Sequence, residues 1–301
     1  MKTTQSSGTR LDHQAVAGTF EFKSNGQAIA ISFTDQQLSP HAGSALFWGW
    51  LRPLDWCKQL AAALPHALPL GSFAYLIVDA RYEKVRIDGV VRSCAVLIAL
   101  GLDDAGQRSV LGVSARLSEA EVHWREFLAS LQARGLHGLR FIVSDDHAGL
   151  RAALTGRFAG VPWQRCQFHL QQNAMAFVPK IHLRAEVAAD LRTVFNAADL
   201  PEAQRRLKTV VEKYQESVPN LAGWLETNGP ESLTVLALPE AQRKKLRTTN
   251  SLERLNKEIK RRTRVATLFP NEKSLERLVT ALLSEVSDEW ETGNIYLNMK
   301  N

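Results

Sequence analysis

Cysteine is the first shortage. The chain has three in 301 residues, Cys57, Cys94 and Cys166, too few and too scattered for a disulfide framework. A small stapled fold is excluded, and a reducing compartment, most simply the cytoplasm, is expected. Long apolar runs are missing as well. Nothing approaches the roughly 18 residues that span a bilayer, so no membrane association is expected. The opening stretch MKTTQSSGTRLDHQ lacks the apolar core of a signal peptide. There is no internal repeat and no low-complexity tract, which excludes a repeat array.

What is present is ordinary in amount and uneven in distribution. A hydrophobic share of 45% and a charged share of 23% belong to a soluble globular protein with chain enough for one large domain or two modest ones. The net charge is +6 and the pI near 9.3, a balance that favours a polyanionic partner. From Arg243 to Arg264 there are ten Lys/Arg and two Glu, a local +8, so the remainder sums to −2. Within that segment Thr248–Arg264 reads TTNSLERLNKEIKRRTR. A Thr-Thr-Asn-Ser run suits a helix cap, and Leu252, Leu255 and Ile259 form one apolar stripe. Another stripe carries Glu253, Asn256, Lys257, Lys260 and Arg264. Two readings stand: a solvated basic face with Glu253 paired to Lys257 at i+4, or a helix laid along phosphates with Glu253 aimed at chemistry.

Taken in order, residues 1–18 are polar and expected to be disordered. FEFKSNGQAIAISF alternates about Asn25-Gly26, a hairpin signal, and Ala42–Leu64 is helical in pattern, split at Pro53. Residues 73–78 predict a buried strand ending at Asp79. Val90–Leu100 and Arg108–Val113 are β-rich, 119–134 is helical through Val122, Phe127 and Leu131 with Gly135 as its stop, and Leu139–Val143 is a short strand before Ser144-Asp145-Asp146. A helix begins at Leu150, and Val161–Phe168 offers a further short strand. Residues 170–245 read as successive helices, and Ser274–Trp290 as a packing helix carrying Leu275, Leu278, Leu282 and Val286. Such a mixed α/β order places polar groups at strand ends.

An acid at the end of an apolar strand is costly unless it lies at the rim and is paired. For Asp145 a turn or helix-cap role is one answer. Convergence of Asp79, Asp145 and Glu253 into a hard-oxygen site for Mg²⁺ is the other. Spacing alone does not choose between them.

Six strings, in this order, resemble the mutator-type family of bacterial insertion-sequence transposases: YLIVDARYEKVR (75–86), WREFLASLQARGL (124–136), VSDDHAGL (143–150), WQRCQFHLQQN (163–173), TTNSLERLNKEIKRRTR (248–264) and FPNEKSLERL (269–278). Each alone is weak, but the set, covering about residues 72–297, is highly specific. The resemblance implies an α/β, RNase H-like mixed sheet with flanking helices, interrupted by an all-α insertion before the last catalytic helix. It divides the chain into an atypical N-terminal region (1–70), the first part of the core (71–169), a helical insertion (170–245) and the core's C-terminal helices (246–297). The family's acids fall on Asp79, Asp145 and Glu253, and the longer gap, between the last two, holds the insertion. Asp146 stands where the family commonly has a small residue, which leaves the metal ligand open between the adjacent pair; Asp145 is favoured because it directly follows the strand.

The same resemblance implies two Mg²⁺ ions on those three carboxylates, with Mn²⁺ as a substitute, and an Asp-Asp-Glu transposase that cleaves DNA at transposon ends and transfers the strand into target DNA during recombination. A homodimer or larger assembly is expected, in the bacterial cytoplasm and nucleoid-associated when on DNA. Arg81, Arg165, His169, Arg254, Lys257, Lys260, Arg261 and Arg264 are expected at DNA, and His147, Cys166 and Asn250 beside the acids. Cys166-Gln-Phe-His169 matches the family's Cys-x-x-His, but Cys57 and Cys94 lie in unrelated segments, so zinc is not expected. For each histidine a structural hydrogen bond is an equal alternative. The region ahead of Asp79 departs from the family, whose members carry a longer helical stretch there, and LSPHAGSALFWGWL resembles the start of a different transposase type. A truncated or recombined copy is therefore the alternative, acting only as a DNA-binding protein or as a nuclease without strand transfer.

Overall fold

The computed structural model describes residues 19–24, 27–32, 69–263, 268–291 and 293–299. The N-terminal tail, the helix expected across Ala42–Leu64 and the cation Arg264 lie outside the described residues. The chain divides into two compact units, Met1–Ala61 and Ala62–Asn301. In the first, β1 (Thr19–Ser24) and β2 (Gln27–Ser32) pair antiparallel, Phe20 opposite Ile31 and Phe22 opposite Ile29. Ser24 opposite Gln27 closes that register, the pairing the expected hairpin requires.

In the second unit the order is β3 (Tyr75–Ile87), β4 (Val90–Leu102), β5 (Arg108–Arg116), α1 (Glu121–Ala133), β6 (Phe141–Ser144), α2 (Ala148–Arg157) and β7 (Trp163–Arg165). From there the described chain is helical: α3 (Gln167–Ala176), α4 (Ile181–Phe195), α5 (Leu200–Tyr214), α6 (Pro219–Asn228), two 3₁₀ turns, α7 (Glu240–Leu246), α8 (Asn250–Thr263) and α9 (Glu272–Glu291). The five strands form one mixed sheet in the order β5-β4-β3-β6-β7. β5, β4 and β3 are antiparallel neighbours, while β6 and β7 join in parallel. Among the described residues no helix is long and apolar enough to cross a membrane.

β3 does not end at Asp79 as the apolar run predicts. It continues to Ile87 because β4 stays beside it as far as a tight turn at Asp88 and Gly89, whose φ values are 48° and 79°. Asp-Gly is the pair that tolerates such a turn. The parallel neighbour is shorter: β6 pairs with β3 only from Tyr75 to Ile77. Asp79 therefore lies just past the point where one side of the central strand loses its partner, a rim within a long strand.

Alternation decides which face it uses. Leu76 and Val78 enter a core with Leu97, Leu111, Trp124 and Leu128 under α1 and α2. Tyr75 and Ile77 enter the other core with Leu170, Leu191, Leu252, Leu255, Ile259 and Leu275, under the later helices. Period two puts Asp79 on the second face. In β6, Phe141 and Val143 belong to that same core, and Asp145 follows in phase. Helix α8 buries Leu252, Leu255 and Ile259 against it, the stripe the spacing predicts. In α1 the buried set is Trp124, Phe127, Leu128 and Leu131, and Gly135 at φ 96° ends the helix as expected, whereas Val122 is exposed.

Candidate active site

Asp79, Asp145 and Glu253 line one cavity of about 350 Å³ with Glu119, His147, Phe168, His169, Asn256 and Lys257. The three acids come from the central strand, the end of its parallel neighbour and the first turn of α8. Glu253 amide donates to Thr249 carbonyl at 3.0 Å, so α8 is already wound where the carboxylate emerges. One turn on, Asn256 Nδ2 donates to Asp79 Oδ2 at 3.1 Å. The spacing of three places Glu253 and Asn256 on one face, above β3.

Two further links seat α8. Thr249, buried, donates to Cys166 Sγ from its amide (3.4 Å) and its hydroxyl (3.5 Å). Gln167 amide donates to Arg247 carbonyl at 3.0 Å. Cys166 amide in turn bonds Ser144 carbonyl at 2.8 Å. The start of α3 thus bridges the end of β6 and the entry to α8, the two places that deliver Asp145 and Glu253. Arg81 completes the seat from β3, donating to the Asn256 carbonyl and pairing with Glu83.

The adjacent aspartates part company. Asp145 faces the cavity, its Oδ1 accepting from the Asp146 amide at 2.7 Å. Asp146 Oδ2 lies 2.8 Å from Arg165 Nη1 and takes no part in the cavity wall. Helix α2 has no side-chain cap, so Asp145 is not serving as one. Gly149, in the first turn of α2, has a steric reason: a Cβ there would lie 2.3 Å from Glu119 carbonyl. Its absence lets the loop carrying Glu119 close onto the site.

Burial dominates the electrostatics. It raises the Asp79 carboxyl to about 7; the neighbouring carboxylates Asp145 and Glu119 push the same way, while His169 and the Ala80 backbone pull against them. His169 moves up to about 9: burial draws it down but is outweighed by its contact with Cys166 and the charges of Asp145 and Asp79. Its Nδ1 is 3.8 Å from Asp145 Oδ1. Glu253 Oε1 is buried without a hydrogen-bond partner, and so is Asn256 Oδ1. Among the described residues no three His, Cys, Asp or Glu side chains stand close enough to enclose one ion as they lie. The donor types nonetheless suit a hard divalent cation: three carboxylates line the one cavity, one disfavoured as a free anion and one with an orphaned oxygen.

The remaining candidates scatter. Lys257 lines the cavity; Arg254 and Asn250 line an adjoining basin. Lys260 and Arg261 are exposed, Arg261 paired with Glu258 at 2.6 Å. His147 is exposed, 3.9 Å from Glu119. Two cations expected at DNA are taken up by partners within the fold, Arg165 buried and Arg81 half-buried. Arg165 is 2% exposed, bonded to Asp146 and Asn228 and close to Glu231, and Arg81 is engaged as above. Sequence reasoning missed Glu119 and Phe168; it placed Asn256 on the right stripe without a role.

The class is plain from these elements: an α/β protein with a carboxylate-lined cavity against a basic helix. Comparison supplies the family. Residues 63–293 match the family described as Transposase, Mutator family, and the chain belongs to it. It is 56% identical over 230 residues to the transposase for insertion sequence element IS406 of Burkholderia multivorans, covering 76% of this chain and 59% of that protein. To the ISRM5 transposase of Rhizobium meliloti it is 45% identical over 227 residues (75% and 57%), and to the IS1081 transposase of Mycobacterium tuberculosis 35% over 233 (77% and 56%). The chain thus spans less than three fifths of the length of these relatives.

Proposed function

We infer that the chain carries the catalytic core of a DNA transposase, with Asp79, Asp145 and Glu253 as its metal-binding triad. The observation that carries this reading is that three carboxylates, far apart in sequence, line one cavity, where Asn256 ties the helix bearing Glu253 to Asp79. The strand order and the helix bearing the last acid support an RNase H-like core made of 71–169 and 246–297, with 170–245 as a helical insertion. Bound Mg²⁺, or Mn²⁺ in its place, supplies Lewis acidity at the attacking and leaving oxygens.

The chain's own groups hold and orient. Asp79, Asp145 and Glu253 are the ligands; Asn256 fixes the Asp79 carboxylate; Lys257 faces the phosphate. In the first step a water oxygen bonds to phosphorus and the 3′ oxygen leaves as a hydroxyl. In the second that hydroxyl bonds to a target phosphorus and the target's 3′ oxygen leaves with the proton. Two ends need two sites, hence a dimer or larger assembly, acting on DNA in the bacterial cytoplasm.

The test is cleavage of a transposon-end duplex with Mg²⁺. Asp79→Asn, Asp145→Asn and Glu253→Gln each abolish cutting while DNA affinity stays within about threefold. Retained cutting in any one removes that residue from the site. A pre-cut end separates the rival readings: no joining to target leaves a nuclease, and neither cutting nor joining leaves a DNA-binding protein.

A further inference from the structure

Beside the acid cavity lies a second hollow of about 470 Å³, and the two share Phe168, Glu253 and Lys257 as wall. Its other cations come from distant parts of the chain: Arg108 at the start of β5, Lys244 and Lys245 on α7, and Arg254 on α8. None of these five forms an ion pair within 4 Å among the described residues, whereas Arg125, Arg140, Arg206 and Lys213 elsewhere each find a carboxylate. Tyr296 holds two of the five together, with Arg108 4.6 Å and Lys245 4.5 Å from its ring centroid on contacts of cation–π type. Arg108 also lies 3.8 Å over Trp290. Burial disfavours the Arg108 cation; Tyr296 opposes that effect and the nearby charge of Arg254 adds to it. Gathering unpaired like charges costs free energy in the empty protein, a cost that an anion would offset.

We propose that this basin is a phosphate subsite that takes backbone phosphates of the same DNA strand whose reacting phosphodiester sits at the acids. The proposal rests on the triad reading for its choice of DNA. Contiguity argues for one strand: the two hollows share Phe168, Glu253 and Lys257 as wall, so a chain leaving the acid cavity past Phe168 enters the basin directly. Phe168 is 40% exposed at that sill, an apolar face for a sugar or base between two charged hollows. Arg108 and Tyr296 thereby gain a role that neither charge pattern nor helix period signals.

The experiment measures binding alone. The full chain is titrated by fluorescence anisotropy with fluorescein-labelled 30-mers, single-stranded and duplex, in EDTA over a range of salt. Arg108→Gln/Lys244→Gln/Lys245→Gln is compared with Lys180→Gln/Arg205→Gln/Lys208→Gln, which removes as many cations from the helical segment. The basin variant is expected to flatten the slope of log affinity against log salt by about 2–3 and to weaken binding at least about tenfold near 0.1 M salt; the control leaves both unchanged. Lys244→Gln/Lys245→Gln, confined to exposed side chains, shows the same trend at smaller size if the triple variant misfolds. An unchanged slope, or equal losses in basin and control, overturns the subsite. Basin-dependent binding of an RNA 30-mer in preference to DNA overturns the choice of ligand. The triad reading fails on a different result, retained cutting by Glu253→Gln.

Discussion

Asn256 and Asp79, 177 positions apart, are joined by a hydrogen bond of 3.1 Å between carboxamide and carboxylate. Through it a helix made late in the chain grips the centre of a sheet completed long before. The donor does two things at once. It satisfies one oxygen of a buried carboxylate, and it fixes the height of α8 above β3, hence the reach of Glu253.

Replacing Asn256 by Leu keeps the volume and removes the donor. A loss of about 1–3 kcal/mol is expected, read as a lower urea midpoint with unchanged slope, together with slower cutting. Full stability in the variant would show that α8 is seated by Thr249 and Arg81 alone.

Arg165 makes a different prediction from the one its charge suggests. Its guanidinium is interior and bonded to Asp146 and Asn228, so removing it strands at least one partly buried carboxylate. Arg165→Met should cost about 2–4 kcal/mol by chemical denaturation. Arg165→Lys should recover part of that and leave the salt dependence of DNA affinity as it was. A flatter salt slope in the lysine variant would put Arg165 back at the nucleic acid.

The pH dependence follows from Asp79 and His169. Both folded values, about 7 and about 9, lie above the ordinary 3.8 and 6.5. Each contribution is therefore fully present below the ordinary value and lost as pH rises through the folded one. Metal-free protein should lose thermal stability as pH climbs from 3.8 to about 7 through Asp79, and from 6.5 to about 9 through His169. Asp79 accounts for at most about 4 kcal/mol of that fall. Asp79→Asn should flatten its lower part; an identical profile would mean the carboxyl is not titrating in this window.

Divalent metal should reverse the trend. A cation at the acids favours the ionised carboxylate, so Mg²⁺ is expected to raise the melting temperature more in mildly alkaline than in mildly acidic buffer. Glu253→Gln should remove most of that rise. The same rise in the variant would place the ion elsewhere.

Unbroken apolar runs made the sheet legible. Leu76, Val78, Ile142 and their neighbours announce strands because burial on two faces needs unbroken apolar runs. The far half of β3 is hidden because Arg81, Glu83 and Lys84 interrupt the run, and only the Asp88-Gly89 turn betrays the continuation. Asp79, Asp145 and Glu253 were legible as motif positions, yet nothing in spacing says that Cys166 and Thr249 hold the two ends of the site together. Charge was the least readable feature. Arg81 and Arg165 look like surface cations and are not, while Arg108, Lys244 and Lys245 look unremarkable and converge. Whether a cation faces inward depends on partners far off in the chain, and Asn228, Glu231 and Tyr296 lie in segments with no pattern linking them to it.

The order in which the chain is made adds a consequence to the way α8 roofs the sheet. Asp79 and Asp145 are both in place once β6 has formed, whereas Glu253 follows only after every helix from α2 to α7. At about 5–20 residues per second that interval is on the order of 5–20 s. A nascent chain, still tethered to its message, holds two of its acids over an open side and has no third to close them. Under the proposed triad, competence to cut arrives late in translation, and any copy cut short before α8 lacks its third acid and is chemically silent.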